Sequence, residues 1–163
     1  MKIKKLVYMA LLTATALILF VVESQIPVPL PIPGIKYGLS NIITLYAVYS
    51  LGSGAAFLIL ITRILLGSMF TGQVVSLMYS LVGGLLCFSV TVIIKRWIER
   101  KYMWVTSIIG AVFHNVGQII TACVIMNTTA IIIYLPMLIV SGIVTGLFTG
   151  IAAAFVTAYG DRR

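Results

Sequence analysis

The chain has 163 residues, of which 61% are hydrophobic and only 9% are charged, and its formal net charge is +8 at pH 7. Soluble domains carry about 25% charged residues, so this composition excludes a water-soluble globule and predicts an integral membrane protein. The basic residues stand at the ends of apolar runs and form no stripe interleaved with aromatic residues, which argues against nucleic-acid binding.

Apolar runs long enough to cross a bilayer follow one another along the chain. A transmembrane helix needs about 20 apolar residues, within a range of about 17–25. Six runs are predicted as spans, with approximate bounds 6–22, 37–51, 55–70, 74–94, 104–126 and 130–159. The second run is short, and its ends are the least well defined. We therefore expect one all-α transmembrane domain over residues 1–163.

The segment between the first two runs is apolar but rich in proline. It reads ESQIPVPLPIPGIKYGLSN from residue 23, so prolines alternate with aliphatic residues before a glycine. Proline fixes φ and removes a backbone donor, which excludes both a helix and a central strand here. We expect residues 23–36 to form a stiff, extended loop outside the membrane.

The basic residues also predict the orientation of the bundle. Six spans place both termini on one side, and nine of the eleven basic residues fall on that side. Basic loops favour the cytoplasm, so we expect cytoplasmic N and C termini and an extracellular proline loop. The two exceptions are Lys36 in the loop and Arg63 within the third run.

A second pattern concerns helix packing in the last run. Small residues recur every four positions there, at Gly142, Gly146, Gly150 and Ala154. Small residues allow helix backbones to approach closely in lipid, so this stripe predicts an intramolecular packing surface.

Several polar residues lie where lipid should exclude them. An arginine at the centre of a span costs about 2.5–3.5 kcal/mol, so Arg63 should face the bundle interior. In GAVFHNVGQ, helical spacing places Gln118 on a shared face with both His114 and Asn115. Two interpretations remain open: a hydrogen-bond network that braces the helices, or a polar patch that lines a ligand pocket. Asn41 is a further candidate for such a patch.

The chain lacks the residues that catalysis would need. It has no G-x-x-x-x-G-K-[ST] phosphate loop and only three acidic residues, so no carboxylate pair can bind magnesium or perform acid–base chemistry. His114 has no metal-ligating neighbour in the sequence, and Cys87 and Cys123 resemble small buried hydrophobes. We therefore expect neither enzymatic activity nor a metal site.

Four stretches together resemble a known family: PVPLPIPGIKYGLSNIITL, RILLGSMFTG, SLVGG and GAVFHNVGQ. The chain resembles the heptaprenyl diphosphate synthase component I family, also called the Gx transporter family. That family is grouped with the substrate-binding S components of energy-coupling factor (ECF) transporters. The resemblance covers nearly the whole chain and depends most on PGIKYGLSN and HNVGQ.

The resemblance implies a six-helix bundle in a bacterial plasma membrane, with a ligand pocket near the outer face. The first extracellular loop would close over the ligand as a lid that contains Pro27, Pro29, Pro31, Pro33 and Gly34. Ala10 and Ala14 would contact the transmembrane coupling subunit, and two cytoplasmic ATPases would use ATP and Mg²⁺, so this chain needs no cofactor. The implied ligand-binding residues are Asn41, Arg63, His114, Asn115 and Gln118. Glu23 and Lys36 bracket the proline loop, and they are either solvated boundary charges or further ligand-binding residues.

Two functions follow from the resemblance. In the first, the chain is an S component that captures a small vitamin-like molecule or a quinone or isoprenoid precursor. In the second, it is a non-catalytic membrane accessory of a heptaprenyl diphosphate synthase that binds its partner through surfaces such as KRWIERK. Prenyl diphosphate synthases hold magnesium on aspartate-rich motifs, and this chain has the single aspartate Asp161. A plain channel or structural protein ranks below both.

Overall fold

A computed structural model describes residues 3–26, 36–72 and 74–160. Within these residues there are α-helices and two short 3-10 helices, and no strand, so the all-α prediction is confirmed for them. The α-helices are α1 (Ile3–Ser24), α2 (Asn41–Ser50), α3 (Ser53–Thr71), α4 (Val74–Ile94), α5 (Met103–Ile125) and α6 (Leu135–Gly160). The lid residues Pro27, Pro29, Pro31, Pro33 and Gly34 lie outside the described residues.

Five helical segments are long and apolar enough to cross a membrane, and α2 is not among them. Helix α2 has ten residues, which give a length of about 15 Å. That is about half of the hydrocarbon thickness of about 30 Å. The second predicted span, 37–51, is therefore a turn followed by a half-length helix. The other five segments support a multi-pass membrane protein.

The side chains are distributed inside out relative to a soluble protein. Large apolar residues such as Phe70, Val124 and Phe155 are more than 70% exposed, whereas Arg63 and Gln118 are at most 2% exposed. Lipid is as apolar as these exposed side chains, so nothing drives them inward, while polar groups need partners inside the bundle. The distribution agrees with membrane-spanning helices.

One end of the bundle collects the basic residues Lys95, Arg96, Arg100 and Lys101, and we call it the basic end. The C-terminal end of α2 lies there. Lys95 donates to the carbonyl of Val48, and Arg100 donates to Ser50 Oγ at 3.5 Å. With only ten residues, α2 reaches about half-way along the bundle from this end. Its N-terminus is consequently surrounded by the middle of α3 and α5.

Glycines bring α5 close to both of its neighbours, α4 and α6. A methyl group on Gly146 or Gly150 would lie 2.7 Å or less from the Cα atoms of Ile108 or Trp104 in α5. These contacts confirm that the glycine stripe of α6 is an intramolecular packing surface. On the α4 side, a methyl group on Gly117 would lie 2.8 Å from the Cα of Gly83.

We expect Gly117→Ala to lower the free energy of unfolding by about 1–3 kcal/mol, because the added methyl group meets backbone that cannot move aside. Gly54→Ala is the matched control, since its methyl group has no atom within 4 Å and alanine favours a helix by about 0.5–1 kcal/mol. Unfolding by denaturing detergent, followed by circular dichroism, measures both changes. Equal effects of the two substitutions would contradict close packing of α4 on α5.

Candidate functional site

The turn that begins α2 lies inside the bundle and needs hydrogen-bond partners there. The turn supplies the first acceptors of α2, since Asn41 and Ile42 donate to its carbonyls at 2.9 and 3.1 Å, so the turn's own N–H groups need acceptors elsewhere. Here Glu23, near the end of α1, accepts a hydrogen bond from the Gly38 N–H, with the N–H groups of Leu39 and Ser40 nearby. A negative charge at a helix N-terminus is also favourable electrostatically. Glu23 therefore supplies the acceptor that water would supply at a protein surface.

Arg63 holds the same turn from α3. Its guanidinium donates to Ser40 Oγ and, at 2.6 Å, to Asn41 Oδ1. Arg63 is buried, as predicted for a cation in the middle of an apolar run. The half-helix is thus fixed between a carboxylate from α1 and a guanidinium from α3.

Lys36 lies just before this turn and is also buried. Its Nζ stands 3.5 Å from the centroid of the Phe20 ring, a cation–π contact. Glu23 and Arg63 are the charged groups near it. Phe20 in turn packs on Gly67, where a methyl group would lie 2.7 Å from the ring.

The imidazole of His114 fills the space between the turn and α4. Its Nε2 would lie 3.6 Å from a methyl group on Gly38, and its Nδ1 would lie 2.9 Å from one on Gly83. Glycine at both positions therefore makes room for the imidazole. We call Glu23, Lys36, Ser40, Asn41, Arg63 and His114 the polar cluster.

The other two polar residues of α5 have different surroundings. Asn115 Nδ2 donates to the carbonyl of Leu138 in α6 at 2.6 Å, which is the geometry of a brace between helices. Gln118 is 1% exposed, yet neither its amide nitrogen nor its amide oxygen has a hydrogen-bond partner among the described residues. The structure therefore offers a bracing contact for Asn115 and none for Gln118.

Several other buried polar atoms in and beside the polar cluster also lack a hydrogen-bond partner among the described residues. Buried polar groups in proteins are nearly always hydrogen-bonded, so each exception needs an explanation such as water or a ligand. The atoms without a partner among residues 3–26, 36–72 and 74–160 include Glu23 Oε2, Lys36 Nζ, Arg63 Nε and Asn115 Oδ1, besides the Gln118 amide. They combine donors and acceptors, which suits a polar molecule.

A cavity of about 20 Å³ adjoins the cluster. It has room for about one water molecule, and its polar lining includes Asn41, Thr44, Thr91, Ser107, Thr145 and Thr149. Sequence reasoning did not single out these hydroxyl residues or Ser40. Ser40 was detectable as the neighbour of Asn41 in KYGLSN, whereas buried hydroxyls in apolar helices carry no distinctive pattern.

Two predicted contact residues lie elsewhere. Ala10 and Ala14 are on the exposed side of α1, where Val7, Leu11 and Ile18 are each more than 50% exposed. Nothing in the described bundle covers that face.

The described residues contain no group of three or more His, Cys, Asp or Glu side chains that could hold a metal ion.

Comparison with known proteins identifies a family that matches most of the chain. The model of the family described as heptaprenyl diphosphate synthase component I matches residues 12–156, which is most of the chain. No curated protein and no solved structure matches.

We expect Gly38→Ala to destabilise the protein by more than Gly52→Ala. Both glycines have positive φ, +82° and +90°, so each substitution carries a backbone cost of about 1–2 kcal/mol. Only at position 38 does the methyl group also meet a side chain, Asn41 Nδ2 at 2.8 Å, since position 52 has no atom within 4 Å. Thermal unfolding in detergent measures the difference, and equal losses would show that the turn is not packed as described.

Proposed function

The chain belongs to the heptaprenyl diphosphate synthase component I family, and from this premise we propose that it is the substrate-binding S component of an ECF-type importer. The observation that carries the proposal is the polar cluster at the buried N-terminus of α2, with its unmatched donors and acceptors. The ligand would be a small vitamin-like molecule or a quinone or isoprenoid precursor.

The half-length helix favours a binding role over a purely structural one. Non-helical backbone at membrane depth is tolerated where it is buried in protein or lines a cavity. In transporters, short or interrupted hydrophobic segments near the membrane midplane mark substrate sites. Residues 36–40 are non-helical backbone of this kind, and three of them, Lys36, Gly38 and Ser40, are buried.

The formal charges of the cluster indicate the chemistry of the ligand. Lys36 and Arg63 are cationic groups and Glu23 is the single carboxylate, so one positive charge is in excess. An acidic or phenolic group would balance it, with His114 beside it. The free amide of Gln118 and the oxygen of Asn115 would orient the rest of the molecule.

The transport role also assigns an orientation and partners. The basic end would face the cytoplasm of a bacterial cell, and the proline-rich segment would close over the ligand from outside. The exposed face around Ala10 and Ala14 would dock on the transmembrane coupling subunit through its small residues. Two cytoplasmic ATPases would supply the energy from ATP and Mg²⁺.

The accessory role is the second candidate. The family description names a component of a heptaprenyl diphosphate synthase, which implies further subunits. The basic end offers a surface for such a subunit, because Trp97 is 76% exposed among charged neighbours. Loss of prenyl chain synthesis on deletion, with every nutrient supplied, would favour this role. Ligand-stimulated ATPase activity in a reconstituted complex would favour transport.

We expect Gln118→Met to abolish retention of a co-purified small molecule without lowering the thermal stability of the empty protein. The substitution replaces unpaired buried amide atoms by apolar atoms of similar shape, which is neutral or stabilising when no ligand is bound. Native mass spectrometry of the protein in mild detergent measures retention. Asn115→Leu is the matched comparison and should lower stability, because it removes the hydrogen bond from Asn115 to the Leu138 carbonyl that joins α5 to α6.

Two results would contradict ligand binding by the cluster. One is undiminished retention in Gln118→Met. The other is a wild-type protein that carries no small molecule but retains a prenyltransferase subunit, which would support the accessory role.

We expect Lys36→Met to lower retention of a co-purified anionic molecule, because the substitution removes the positive charge that lies beside Glu23, Arg63 and the Phe20 ring. Lys36→Arg is the matched control and should keep retention closer to that of the wild type, since a guanidinium stays charged. Native mass spectrometry of both variants measures the difference. Equal retention in the two variants would exclude the charge of Lys36 from binding.

A further inference from the structure

The buried face of α4 carries polar residues beyond the polar cluster, toward the end of the bundle opposite the basic end. Helix α4 reaches the basic end with its last residue, Ile94, so its first residues lie at the opposite end. Its buried residues include Ser76 and Ser80. They lie about two turns and about one turn before Gly83, the residue that makes room for the imidazole of His114. Residues at these spacings share one face of a helix.

Helix α5 continues the polar region in the same direction. A methyl group on Gly110 would lie 2.9 Å from Thr91 Oγ1, whereas one on Gly117 would lie 2.8 Å from the Cα of Gly83. The two helices are therefore antiparallel, and residues after Gly117 lie further from the basic end. The next residue, Gln118, is buried, and its amide has no hydrogen-bond partner among the described residues.

The hydroxyl of Ser76 is a further unmatched polar group. The residue is 1% exposed, and its hydroxyl has no hydrogen-bond partner in the described part of the chain. A hydroxyl within a helix usually bonds to the carbonyl three or four positions earlier, as Thr121 does to Gly117. For Ser76 those positions precede Val74, where α4 begins. The hydroxyl is therefore available to a ligand.

The spacing of these groups describes the ligand. Seven residues of helix, about 10 Å, separate Ser76 from the level of Gly83 and the imidazole. Resting on the proposed function, in which the polar cluster binds an acidic or phenolic group, we propose that the ligand carries a second polar group about 10 Å away and that Ser76 binds it. This second group is a neutral hydroxyl, carbonyl or amide, because neither Ser76 nor Gln118 offers a charge to pair with.

The same contact discriminates between the candidate ligand classes. The chain of an isoprenoid precursor is a hydrocarbon, and at this position it would leave the Ser76 hydroxyl buried without a partner, which is unfavourable. A compact molecule with polar groups at both ends would satisfy the hydroxyl. The proposal therefore favours a vitamin-like molecule.

The test uses two acids that differ only at the end remote from the carboxylate. They are ω-hydroxyoctanoate and nonanoate, in which a methyl group replaces the hydroxyl. Titration calorimetry measures both dissociation constants for the full-length protein in mild detergent, in the wild type and in Ser76→Ala. The preference of the wild type for the hydroxy acid, divided by that of the variant, isolates the contact, because partition of the acids into detergent cancels. We expect a quotient of about two to ten, the effect of one hydrogen bond.

Thr106→Val is the matched control, because it also removes one buried hydroxyl, which bonds to the Tyr49 hydroxyl at 3.0 Å. It should lower the thermal stability and keep the preference of the wild type. Ser76→Ala should not lower the stability of the empty protein, since its hydroxyl is unpaired.

Two results would overturn the proposal and leave anion binding by the polar cluster intact. One is a quotient of one, and the other is a loss of thermal stability in empty Ser76→Ala, which would show that the hydroxyl is bonded within the protein. Binding of neither acid to the wild type would contradict the anion site of the proposed function, and this proposal with it.

Discussion

The rest of the bundle depends on one constraint, which is the start of a helix far from water. Helix α2 begins about half-way along the bundle, where the N–H groups of the turn before it have no solvent to bond. Glu23 accepts from this turn and Arg63 donates to its Ser40 and Asn41 side chains. These contacts fix the course of the chain from Lys36 to Asn41. Without them, an unpaired backbone at this depth would cost several kcal/mol per group.

The polar cluster lies where two differently packed parts of the bundle meet. Helices α4, α5 and α6 pack with their backbones in close contact, because glycines such as Gly83, Gly117 and Gly146 lie at the contacts. Helices α1, α2 and α3 pack instead through side chains, with Met9 against Ala47 and its neighbours. His114 and the turn before α2 fill the space between these two parts. Helices α4, α5 and α6 thus support the imidazole of His114, while α1 and α3 supply the two charged side chains that bond to the turn.

The sequence predicts features that follow from composition and local spacing. The burial of Arg63 was foreseeable because lipid cannot hold an isolated charge, and the glycine stripe of α6 because its period matches a helix face. Hydropathy could not reveal that residues 37–40 form a turn, since a turn and a helix of the same residues are equally apolar. Nor could spacing show that His114 and Asn115 face different helices, because that depends on how α4 and α6 flank α5.

The stack of Gly67, Phe20 and Lys36 extends the influence of the site beyond its polar residues. The Phe20 ring packs against Gly67, a position with no side chain, and also contacts the ammonium of Lys36. Any larger residue at position 67 displaces the ring, and the ring displaces the lysine. A substitution at this remote, apolar position of α3 would therefore move a cation of the polar cluster while every hydrogen-bonding residue of the cluster stayed unchanged.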